Sequence, residues 1–136
     1  MFSYSKASQT RLLQADPRLQ LIFNVAIRRS KIDFGIADTY RSPEKQMEAF
    51  KAGKSDKDGV TNLSKHNQLP SLAVDIYGYL NGKIDYSIPV MCYLAGLIES
   101  VAQELCVPIR QGVNWDGDGE MITDQYFDDY PHHELL

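Results

Sequence analysis

The 136 residues are 43% hydrophobic and 24% charged, enough apolar content for one buried core and too short a chain for a second domain. With 14 basic and 18 acidic residues the net charge is -4, and the Lys and Arg are scattered rather than gathered into a stripe, which argues against nucleic acid as a partner. No window is apolar enough to cross a bilayer, and "MFSYSKASQTRLLQADPRLQ" lacks the apolar centre of a signal peptide, so cytoplasmic synthesis without membrane insertion is expected.

In chain order, "SQTRLLQA" is a short helix candidate. "DPRLQLIFNVAIRRS" follows as a longer helix, with Asp16 as N-cap, Pro17 at the first position and an apolar face of Leu21, Ile22, Val25 and Ala26. "DFGIADTY" reads as a strand. "SPEKQMEAFKAG" reads as a helix capped by Ser42, entered by Pro43 and closed by Gly53. Lys54 to Pro70 has loop chemistry over an unusual length, and long loops tend to be functional. "LAVDIYGYL" is a strand and "NGK" a tight turn; "IDYSIPVMCYLAGLIESVAQELC" begins as loop and continues as a helix. "VPIRQG" and the terminal "HHELL" are extended. Helices mixed with antiparallel strands, without a regular βαβ alternation, indicate an α+β domain: a small antiparallel sheet flanked by helices. Cys92 and Cys106 lie on the long helical segment; roughly 21 Å of helix between them excludes a bridge and leaves two buried thiols.

The chain has three histidines, His66, His132 and His133, all in "SKHNQLPSLAVDIYGY" and "DDYPHHELL". Catalytic zinc takes three ligands from His, Asp or Glu and keeps a position for water. His66, Asp75 and His132 can supply that set. Asp75 is the informative member, because a carboxylate inside an apolar strand is costly unless paired, hydrogen-bonded or metal-bound. Each residue also has a plainer reading: His66 as a solvated loop residue, Asp75 in an ion pair with Arg41 or Arg110, His132 in a frayed chain end.

At these positions the sequence resembles the zinc D-alanyl-D-alanine carboxypeptidase family, in particular its phage endolysins that act as L-alanyl-D-glutamate peptidases. The likeness rests on Ser64 with His66, on Ala73 with Asp75, and on Asp129 followed by His132 and Glu134. "TYRSPEKQ" and "RQGVNWDGDGE" resemble the family's Arg segment and Arg-x-Gly-x-x-Trp segment. The interval "HNQLPSLAVD" is about two residues longer than the family's usual one, which places the extra residues in a turn before the strand.

The resemblance implies the hedgehog and D-Ala-D-Ala metallopeptidase fold, with Zn2+ held by His66, Asp75 and His132 and with Asp129 as catalytic base. Read alone, Asp129 is a solvated neighbour of Asp128. Zinc in such a site lowers the pKa of its water towards about 7. Arg41 is the candidate for stabilising the oxyanion or binding a substrate carboxylate, with an ion pair as the alternative. Ser64, Arg110, Trp115 and Glu134 are expected to bind substrate or support the ligands, with Trp115 walling the groove. His133 should face away from His132, because side chains alternate along a strand. The substrate implied is the peptidoglycan stem peptide, cut at the L-Ala to D-Glu bond. The implied setting is a monomeric, single-domain lysin without a wall-binding module, released to the periplasm of a thin-walled host by a holin-type partner. The rivals are a D-Ala-D-Ala dipeptidase or carboxypeptidase, and a non-catalytic wall-binding or phage structural protein. Asp116, Asp118 and Glu120 alternate as in a calcium loop but lack its full pattern, which favours a solvated turn.

Overall fold

In the computed structural model, which describes residues 1–120, 125 and 129–136, the chain builds a five-stranded antiparallel sheet with helices packed on it. The elements are α1 (Lys6–Leu12), α2 (Pro17–Arg29), β1 (Asp33–Asp38), α3 (Pro43–Lys51), a short 3-10 helix (Lys65–Asn67), β2 (Ala73–Leu80), β3 (Lys83–Asp85), α4 (Ile88–Glu104), β4 (Ile109–Gln111) and β5 (His132–Leu135). The strand order is β1-β2-β5-β4, and β3 pairs with the far end of β2. This is the expected α+β architecture.

Local signals start most of the helices. Asp16 accepts the Arg18 amide ahead of Pro17, and Ser42 accepts the Lys45 amide ahead of Pro43, so each cap satisfies an otherwise orphaned N–H. Gly53, at φ 73°, follows α3 in the left-handed region. The first helix lies earlier than expected, at Lys6–Leu12, because Ser5 caps it by accepting the Ser8 amide.

The buried face of α2 is Leu19, Ile22, Phe23, Ala26 and Ile27, and Leu21 is 52% exposed, which corrects the expected stripe. The true stripe keeps the three-and-four spacing of one helical face over two turns. Leu19, Ile22 and Phe23 are fully buried, each contributing roughly 1.5–3 kcal/mol of transfer free energy. With Leu94, Ile98 and Val101 of α4, and Ile36, Val74 and Ile76 of the sheet, they form the core.

Ile84 and Asp85 belong to β3 rather than to a loop. Asn81 (φ 54°) and Gly82 (φ 76°) form a tight turn that folds this strand straight back on β2. Cys92 is half-buried, and Cys106 is exposed beyond the end of α4; both thiols are free, so the expected pair of buried thiols is corrected while the absence of a bridge stands.

The register of the sheet positions the chemistry. Asp75 pairs with His132, Ala73 with Glu134, and Arg110 with Glu134. These side chains share one face, while Val74, His133 and Gln111 share the other, towards α4 and α2. A bulge between Ile36 and Asp38 sets Asp38 opposite Asp75 on the polar face.

Candidate metal and catalytic centre

The 3-10 helix, β2 and β5 each deliver one side chain to a common point. His66 Nε2 lies 3.1 Å from Asp75 Oδ1 and 3.2 Å from His132 Nδ1, and His132 Nδ1 lies 3.1 Å from Asp75 Oδ1. These three residues are a possible metal-binding triad. His66 is buried, not solvated, and His132 is in a buried strand, not a frayed end.

Each imidazole is oriented by its other nitrogen. His66 Nδ1 donates to the Thr39 carbonyl at 2.6 Å, and His132 Nε2 donates to Glu134 Oε1 at 2.8 Å. The remaining ring nitrogens, His66 Nε2 and His132 Nδ1, therefore point at each other and at Asp75. Ser64 supports this from the backbone: its hydroxyl accepts the His66 amide and caps the 3-10 helix. The extra residues ahead of β2 are absorbed outside the strand, where Ser71 bonds through its backbone to Gln14 and Asp16 and through its hydroxyl to Thr39 O and Ala73 O.

Burial works against charge on Asp75, but His66 and His132 outweigh it and hold the carboxyl well below the usual range. Burial likewise opposes a charged His132; hydrogen bonds to Asp75 and Glu134 and the field of Asp129 reverse this and lift its pKa to about 10. In the metal-free fold a proton thus sits on the ring. His133 follows the opposite logic. Burial, and then the charge on His132, push its pKa down to about 3, so it is a neutral core imidazole against Phe23, accepting from Gln111 Nε2. Its placement away from the triad is as the strand alternation predicts.

Asp129 approaches from the turn before β5. Its Oδ2 lies 3.8 Å from His132 Nδ1, and its carbonyl accepts the His132 amide across Tyr130 and Pro131. Burial, then the charge of Asp75, raises its carboxyl to about 6. Gly112 makes room for this turn: a Cβ there would meet the Asp129 carbonyl oxygen at 1.7 Å. Asp128 lies outside the described residues.

Arg41 is committed inward. Its Nε donates to Asp38 Oδ2 at 2.9 Å, Nη1 to Gln46 Oε1 at 2.9 Å and Nη2 to Asp75 Oδ2 at 3.3 Å. Asp75 thus offers one oxygen to the triad and the other to a cation. Arg110 pairs with Glu134 and lies over Trp115, whose ring in turn packs 5.3 Å from His132. All of these residues except Gln46 line one open cleft of about 1300 Å³. Asp116, Asp118 and Glu120 form an exposed turn in which the Asp116 and Asp118 carboxylates accept the Asp118 and Glu120 amides.

Several contributors were not legible in the sequence. Thr39 acts through its carbonyl, Asp38 through the bulge, and Lys65 through an ion pair with Glu134. Gln46 is buried and bonds Arg41, Ser55 and the Lys57 carbonyl at once. A polar residue on the inward side of a helix is the one cue that could have singled it out.

Residues 1–136 match the family described as phage L-alanyl-D-glutamate peptidase along their whole length. The chain belongs to this family. The chain is also similar to the L-alanyl-D-glutamate peptidase of Escherichia phage T5, with 27% identity over 120 residues covering 88% of this chain and 85% of the relative. Among solved structures it is similar to the L-Ala D-Glu endopeptidase ChiX of Serratia marcescens, with a TM-score of 0.78 and 24% identity over 98% of this chain and 90% of that one. This second likeness shows the shared fold.

Proposed function

We propose that this member of the family is a zinc peptidase that hydrolyses the L-Ala to D-Glu bond of peptidoglycan stem peptides in host-cell lysis. The observation that carries the reading is the geometry of His66, Asp75 and His132. Ligands about 2.0–2.1 Å from a tetrahedral zinc sit about 3.3 Å from one another. The three donor atoms, two imidazole nitrogens and one carboxylate oxygen, lie 3.1–3.2 Å apart.

Zinc bound there supplies Lewis acidity that lets water ionise near neutral pH. Asp129, with a carboxyl near its proton-transfer range, takes the proton of the attacking water and returns it to the leaving amine. Arg41 holds Asp75, and Glu134 holds His132, so neither ligand rotates as charge develops. In this reading the enzyme meets its substrate in the wall and depends on a separate membrane-opening protein for access. Among the described residues no helix is long and apolar enough to cross a membrane.

Mass spectrometry of purified murein incubated with the zinc-loaded protein tests the proposal. Fragments with a new amino-terminal D-Glu are expected. Release of free D-alanine would instead indicate a carboxypeptidase, and intact murein a non-catalytic binder. Asp129→Ala should slow clearing of permeabilised cells by about 10²–10⁴-fold with zinc content unchanged.

A further inference from the structure

A glutamate acylated by alanine carries a carboxylate on the carbon bonded to the scissile nitrogen, so a peptidase for that bond must seat an anion beside its reacting centre. Resting on the proposed function, we infer that Arg110, stacked on Trp115, receives this carboxylate and selects a free glutamate over its amide counterpart.

Arg41 is closed to the task. Its guanidinium already faces the carboxylates of Asp38 and Asp75 and the amide oxygen of Gln46, and its side chain is only 14% exposed. Each of its three nitrogens already donates to one of these acceptors, so it presents no open fork to a further anion.

Arg110 is in the opposite state. Its side chain is 45% exposed, Nη2 donates to Glu134 Oε2 at 3.0 Å, and Nε and Nη1 have no acceptor among the described residues. Glu134 is also met by Lys65 Nζ at 3.3 Å. Two cations thus share one carboxylate, and a positive charge remains for a ligand. The Trp115 ring lies 5.3 Å from the guanidinium carbon, within cation–π range, and with Glu134 holds the group in place. That same ring lies 5.3 Å from His132, and Glu134 bonds both Arg110 and His132, so the open donors stand next to the triad. Lys45, Lys54 and Lys57 also line the cleft, but each is an ammonium on a flexible stem with no side-chain partner among the described residues. A held planar fork matches a carboxylate in a way that a loose point charge does not.

The test compares two peptides that differ only at that group: alanyl-D-glutamate and alanyl-D-isoglutamine, each extended through the side-chain carboxyl. The zinc-loaded wild type should favour the free carboxylate by roughly 10- to 100-fold in kcat/KM. Arg110→Met should lose more on the carboxylate peptide than on the amide by about that factor, bringing the ratio near one whatever loss the two peptides share through Glu134. Arg110→Lys should keep part of the preference. Calorimetry with Asp129→Asn, where nothing is turned over, should show the same ratio in binding, again abolished by Arg110→Met. An unchanged ratio in Arg110→Met, or an equal loss on both peptides, would overturn the inference and leave Arg110 as a support for Glu134. Wild-type cleavage of both peptides without preference would overturn it as well. Cleavage of neither would instead remove the peptidase reading itself.

Discussion

At the scale of single residues, the proposed metal would compete with a proton for one nitrogen. His132 Nδ1 carries a proton in the metal-free fold up to about pH 10, so metal binding at neutral pH must expel it. Affinity should therefore rise about tenfold per pH unit between pH 6 and 8, with close to one proton released per ion, as calorimetry in buffers of different ionisation enthalpy measures. The same shift bears on stability. A histidine whose folded pKa is raised stabilises the fold fully below its ordinary 6.5 and loses that contribution as pH climbs towards 10. Urea unfolding of the metal-free protein should accordingly show falling stability from pH 7 to 10, and His132→Ala should flatten that trend. Glu134 is the second lever. Burial opposes its charge, but His132, Arg110 and Lys65 draw its pKa down to about 2, so it accepts from His132 throughout the neutral range. Glu134→Gln should weaken zinc binding by roughly 10–100-fold while the fold persists.

Elements carry these residues to their places, and here sequence and structure part at identifiable points. The apolar run around Asp75 announced a buried strand with a costly carboxylate, and the His132 to Glu134 alternation announced a second, because a period of two is legible without knowing the partner strand. What it could not announce is the pairing of Asp75 with His132, which depends on chain closure over 57 residues. The α2 face differs from the expected stripe at Leu21, which stands roughly 200° round the helix from the buried Leu19. Leu19→Ala should therefore cost about 2–5 kcal/mol, and Leu21→Ala should change stability by less than about 0.5 kcal/mol, in thermal or urea unfolding. Gly112 shows an element-level constraint of another kind. β4 ends against the carbonyl of Asp129, so Gly112→Ala must push the turn before β5 outward. Activity on murein should drop by at least about 10²-fold, with the triad's metal content retained.

For the whole molecule, the triad ties together three separate stretches: the 3-10 helix, β2 and β5. A ligand bound only by the folded state stabilises it, by about 2.7 kcal/mol at a free concentration 100-fold above its dissociation constant. For a domain of this size that corresponds to a rise in Tm of roughly 8–12 °C. Chelation should reverse the rise, and His66→Ala should abolish it. The remaining question is where the ion sits. The most direct measurement is an anomalous difference map from crystals of the zinc-loaded protein. One peak within about 2.0–2.2 Å of His66 Nε2, Asp75 Oδ1 and His132 Nδ1 is the predicted result. A zinc peak held by other residues, or none at this point in zinc-saturated and active protein, would contradict the account.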